Sequence, residues 1–116
     1  MSTTSPSLFT RIVAREIPAE IVFENDRIIA IRDIKPQAAV HLLVIPKAEY
    51  ANVAELAAAD PALLAEVVEV SQQLATQHSN GDFRLVFNTG ESIGQTVFHV
   101  HAHVLSGAIE EGTLAH

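Results

Sequence analysis

At 116 residues, with 48% apolar and 18% charged side chains, the chain has the size and make-up of one globular domain, able to bury about two thirds of its unfolded surface and neither disordered nor fibrous. Seven Lys and Arg against fourteen Asp and Glu give a formal charge of −7 with no basic cluster, so nucleic acid is not an expected partner, since neutralising its phosphates needs a positive stripe. With no cysteine there is no disulfide framework, thiolate zinc site or cysteine nucleophile.

Met1 to Ile12 has no charged segment leading into a long apolar one, and no stretch approaches the ~18 consecutive apolar residues of a membrane span. The expectation is a soluble, cytoplasmic protein with no membrane partner. A small phosphate ligand stays open, because backbone N–H groups can hold one on an acidic protein.

The Ser/Thr-rich segment 1–7 reads as a flexible N-terminus, with Ser7 as N-cap of a short helix from Leu8 to Arg15 that Pro18 stops. Ile21-Val22-Phe23 and Arg27 to Ile31 flank the polar Glu24-Asn25-Asp26, which is the pattern of a hairpin. Asp33 to Ala38 is a loop, and Val40 to Ile45, closed by Pro46, is a third strand. Asp60-Pro61 is an N-cap followed by proline at the first helical position, and Leu63, Val67, Val70 and Leu74 give a long helix its apolar stripe until about Gln77. Arg84 to Asn88 reads as a fourth strand, Thr89 to Gln95 as a glycine-bearing loop, and Val97 to Leu105 as a fifth strand. This order predicts an α+β domain over 8–107, with a mostly antiparallel five-stranded sheet, one long helix and one short one, followed by a tail over 108–116.

In the last strand His99, His101 and His103 alternate with Val100, Ala102 and Val104. Period two puts the histidines on one face and the apolar residues on the other. Imidazole titrates near 6.5, so three on one surface could form a nucleophilic site, a proton relay or a metal site, or merely a polar stripe. For zinc, His41 could add a fourth nitrogen, but no acidic or thiolate ligand lies near the run. Just before it, Gly94 allows close backbone approach to an anion, and Gln95 and Thr96 add donors, which suits phosphate. Taken alone, His41 reads as a core histidine, and Asp33 and Asn88 read as turn residues.

Gly94 to Leu105 resembles the His-φ-His-φ-His-φ-φ motif (φ apolar) of the histidine triad (HIT) superfamily, in the form of its Hint branch. Arg15 to Ala19, Phe23 to Arg27, Asp33 to Ala38 and His41 to Lys47 follow the same pattern in order, so the likeness covers residues 8 to 107. It implies a homodimeric HIT fold and a purine nucleoside phosphoramidase, cleaving the P–N bond between AMP or GMP and an amine with no metal or cofactor. The resemblance assigns His101 as nucleophile and His103 as donor to the phosphoryl oxygens, with His99 and His41 orienting them. It also places Asp33 and Ile34 at the ribose and base, Asn88 at the ribose and phosphate, and Gly94, Gln95, Thr96 and Ala102 along the phosphate. A dinucleoside polyphosphate hydrolase of the Fhit type and a nucleotide- or zinc-binding interaction module are the alternatives. The sequence departs from the branch at Thr96, where serine is usual, and after Leu105, where a Gly-Gly start and a tryptophan-bearing tail are common.

Overall fold

The computed structural model describes residues 6–107, so the expectations for residues 1–5 and for the tail 108–116 lie outside the described residues. Its elements are α1 (Leu8–Val13), β1 (Ile21–Glu24), β2 (Ile28–Arg32), β3 (Val40–Pro46), α2 (Val53–Ala59), α3 (Pro61–His78), β4 (Arg84–Val86), a 3₁₀ turn (Glu91–Ile93) and β5 (Ala102–Ser106). The strands form one antiparallel sheet in the order β1-β2-β3-β5-β4, which makes this the expected α+β fold. No helix among the described residues is long and apolar enough to cross a membrane.

Local chemistry accounts for the main turns and starts. Asn25 Oδ1 accepts from the N–H groups of Arg27 and Ile28, at 2.9 and 2.8 Å, and so closes the β1–β2 hairpin. Asp60 caps α3 by accepting from Leu63 N at 3.1 Å, ahead of Pro61 in the first turn.

β3 is the central strand, and its two faces organise the core. Leu42 and Val44, with Ile28, Ala30, Ala102 and Val104, pack against Leu63, Val67, Val70 and Leu74 of α3. Leu43 and Ile45, with Ile29 and Ile31, pack against Phe9 and Ile12 of α1. His103 pairs with Leu43 in register and His41 lies two residues before Leu43, so both histidines stand on the α1 face.

Four expectations need correction. α1 ends at Val13, well before Pro18: Arg15 takes a left-handed φ of 65°, and Arg15 N and Glu16 N bond back to the carbonyls of Ile12 and Arg11. That is a Schellman closure with arginine where glycine is usual. A second short helix, α2, precedes α3; Asn52 caps it through Glu55 N, and Glu55 reaches back to Ala51 N. β4 stops at Val86, short of Asn88. Finally, β5 begins only at Ala102, so His99 and His101 precede the ladder. Its partner β3 ends in Pro46, which has no N–H, and the Pro46 carbonyl is taken by the His99 ring while Val100 N bonds to Tyr50 O.

Asp60→Ala should lower stability by about 1 kcal/mol in urea unfolding, through loss of the α3 cap, and leave the sheet intact. An unchanged midpoint would mean that Pro61 and packing alone start the helix.

Candidate functional site

Four imidazoles meet on the α1 face, and backbone groups fix the protonated nitrogen of three of them, the fourth being set by one of those rings. A carbonyl can only accept and an amide N–H can only donate, so the partner identifies the tautomer of a neutral ring. His99 Nε2 lies 2.6 Å from Pro46 O and therefore carries the proton. His101 Nδ1 lies 2.8 Å from the carbonyl of His99, so its proton is on Nδ1 and its lone pair is on Nε2. Gln37 N–H donates to His41 Nδ1 at 3.0 Å, which puts the His41 proton on Nε2. That proton is donated to His103 Nδ1 at 2.9 Å, which leaves His103 with its own proton on Nε2. The pair His101 and His103, with ring centroids 5.2 Å apart, thus combines one lone-pair nitrogen with one N–H donor.

Burial keeps the rings neutral. Desolvation lowers the pKa of His41, His99 and His101 below the ordinary value near 6.5. His103 falls furthest, to about 4, because burial is reinforced by His101 and His41 beside it and only partly opposed by Asp33.

The other residues singled out from sequence are placed unevenly. Asp33 is brought to the histidines: its Oδ2 lies 3.4 Å from His41 Nε2, its Oδ1 accepts from Lys35 N, and its N–H donates to His41 O. It also lines an apolar cleft of about 160 Å³ between α1 and the sheet, with Phe9, Ile12, Ile31, Leu43 and Ile34, the last 91% exposed. Asn88 is half-buried beyond β4, where the Arg84–Leu105 and Val86–His103 register runs towards His101. Ala102 is buried in the α3-facing core with its side chain turned from the histidines, so only its backbone faces both ways.

Gln95 is not brought to the site by its side chain. The amide is buried and committed to the loop, accepting from Gly90 N at 2.8 Å and donating to the carbonyls of Ala51 and Val97. Gly94 is exposed in the left-handed region, with φ 110°, and open space surrounds the position of a Cβ, so its glycine answers to backbone conformation rather than crowding. Thr96 is exposed beside it.

One donor set among the described residues could hold a metal: Asp33, His41 and His103 each bring a ligand atom to within 4.8 Å of the others. A cation there would have to displace the proton that His41 donates to His103.

Several contributors were not singled out from sequence as parts of the site. Phe9 stands edge-on to both His101 and His99, at centroid distances of 4.9 and 5.7 Å, joining the apolar cleft to the triad. Gln37 N, Pro46 O and Ser7 Oγ hold the rings. Of these only Ser7 carried a local signal, as a helix cap.

The family described as "Scavenger mRNA decapping enzyme C-term binding" matches residues 6–116. An uncharacterised HIT-like protein of Synechocystis is 44% identical over 102 residues, covering 87% of this chain and 90% of the relative. The purine nucleoside phosphoramidase of Escherichia coli K12 is 37% identical over 112 residues, covering 95% of this chain and 94% of that enzyme. A solved HIT family hydrolase from Clostridium thermocellum matches with a TM-score of 0.86 at 38% identity, covering 97% of this chain and 98% of its own. The chain belongs to the matched family and, through these relatives and the histidine geometry, to the Hint, phosphoramidase-like branch of the histidine triad superfamily.

Proposed function

We propose that the chain is a purine nucleoside phosphoramidase that works through a nucleotidyl-histidine intermediate. The observation that carries this reading is the lone pair left on His101 Nε2 by the Nδ1 bond to the His99 carbonyl, beside the N–H that His103 presents. The relative named purine nucleoside phosphoramidase, alike over nearly all of both chains, supports the same reaction.

In the first step His101 Nε2 attacks the α-phosphorus and the P–N bond to the amine breaks. The amine leaves with the bonding electron pair and takes a proton from solvent, relayed through the exposed Thr96 hydroxyl, which gains one proton as it gives one. The His101 ring becomes cationic, which strengthens its bond to the His99 carbonyl as charge develops. His103 Nε2–H donates to a phosphoryl oxygen, where a fixed donor stabilises the growing charge. Water then attacks phosphorus, neutral His101 departs, and the proton released by the water returns to solvent. The net reaction is phosphoramidate plus water to nucleotide plus amine.

The nucleoside occupies the cleft walled by Phe9, Ile31 and Leu43, whose apolar character suits a purine of either kind, with Asp33 at the ribose hydroxyls beside Ile34. Asn88 and the Gly94–Thr96 segment lie along the phosphate, Gln95 contributing by holding the loop in shape. The catalytic domain spans 8–107 and acts as a homodimer. The short edge strand β4 and the half-exposed Val68 of α3 support a pairing surface there.

His101→Ala should reduce kcat/KM for adenosine 5′-phosphoramidate by at least ~10³-fold while the far-ultraviolet circular dichroism stays unchanged. Undiminished turnover would overturn the mechanism, and faster cleavage of diadenosine polyphosphates by the unaltered protein would favour the Fhit-type alternative.

The depressed histidine pKa values set the pH dependence. Because His101 is held below 6.5, kcat/KM should stay level from neutral pH to about 6.5 and fall only below it. Stability should fall over the same range, since the unfolded chain, with histidines titrating near 6.5, binds protons that the folded one refuses. That loss begins near 6.5 and continues towards about 4, where folded His103 itself protonates. Urea unfolding at stepped pH measures it, and equal midpoints at pH 7 and 5 would contradict the buried neutral rings.

A further inference from the structure

We propose that Ser7 is a positioning residue for His101, acting through His99: its hydroxyl holds the His99 ring and so the carbonyl that receives the His101 Nδ1 proton. Ser7 Oγ lies 2.5 Å from His99 Nδ1. Since His99 Nε2 donates to Pro46 O, Nδ1 of the neutral ring is an acceptor and the Ser7 hydroxyl is the donor. The oxygen accepts from Thr10 N at 3.0 Å and lies 3.2 Å from the Thr10 hydroxyl, and Ser7 N–H donates to Glu49 Oε1 at 3.3 Å.

His99 is completely buried, so its two ring nitrogens have no recourse to water. One is held by the end of β3 and the other by the cap of α1. Without the Ser7 proton, Nδ1 is a buried acceptor with no partner, and the ring must tilt, change tautomer or protonate. A tilt or a change of tautomer moves the peptide whose carbonyl orients His101, and a proton on Nδ1 places a positive charge beside the ring that must itself become cationic. Phe9, two residues beyond Ser7, packs edge-on to both rings, so the helix that walls the apolar cleft also sets the nucleophile. Capping and alignment are one device built on one oxygen.

Two variants separate these roles. Ser7→Thr keeps both the cap and the donated proton. Ser7→Asp keeps the cap, because a carboxylate accepts from Thr10 N, but has no proton to give, so His99 Nδ1 must take one of its own. Nitrogen-15 spectra of the side chains should show His99 neutral with the proton on Nε2 in the wild type and S7T, and protonated at both nitrogens in S7D.

The kinetic arm rests on the phosphoramidase reading. With adenosine 5′-phosphoramidate, kcat should fall about tenfold in S7D with KM within about twofold, because the nucleoside cleft is untouched, and S7T should stay near wild type. An S7D protein whose His99 nitrogens match the wild type would overturn the proposal. So would one whose ring is altered but whose kcat is unchanged. The spectra need no substrate, so they decide the Ser7 hydrogen bond even if the chain proves to act on another phosphate compound.

Discussion

The site depends on a hydrogen bond made by the main chain: the His99 carbonyl that accepts from His101 Nδ1. An imidazole has two nitrogens of similar basicity, and a free ring exchanges its proton between them. With Nδ1 tied to a carbonyl, which has no proton of its own to offer, only Nε2 is left as a lone pair. The same logic runs through the other three rings, each set by a backbone N–H, a backbone carbonyl or a ring already so set. Backbone groups do not titrate, so the pattern of donors and acceptors holds across the pH range in which the rings stay neutral.

That constraint explains the shape of the sheet at its functional edge. β3 is buried along almost its whole length and paired on both sides, so its end is a rigid reference. Pro46 closes the ladder there, having no N–H to give, and frees a carbonyl for a side chain. The run after Phe98 therefore approaches β3 first through the His99 ring and only from Ala102 through the backbone. Stability and function divide between the faces: α3 packs on one, while α1 and the histidines occupy the other.

The alternation of His99, His101 and His103 was legible because it needs only extended backbone, with or without ladder bonds; Val100, Ala102 and Val104 still turn together into the α3-facing core. The caps Ser7 and Asp60 were equally legible, since each is a local bond between a side chain and an N–H three residues on. α2 was not: it buries one residue, Leu56, and so shows no apolar stripe, only Asn52 and Glu55 at its start. The partners of the histidines were out of reach for a different reason. Ser7 lies 92 positions from His99, and Pro46 lies 53 from it, separations that no local pattern spans. Gln95 shows the converse, a polar residue well placed in sequence whose amide the loop itself consumes.

The charge balance then becomes part of the chemistry. A protein of formal charge −7 that acts on an anion would ordinarily be expected to gather cations at its site, yet the four histidines are held neutral by burial and Asp33 stands among them. On the proposed mechanism, ground-state binding comes from the apolar cleft and from oriented N–H groups, while attack by His101 itself generates the positive ring beside the phosphorus. Asp33, whose charge opposes the lowering of the His101 pKa, and the His99 carbonyl both favour that cation more than the neutral ring. A standing positive charge would stabilise bound substrate and transition state alike, whereas one that appears only with the new P–N bond lowers the barrier. The buried, neutral triad is thus suited to the step in which it stops being neutral.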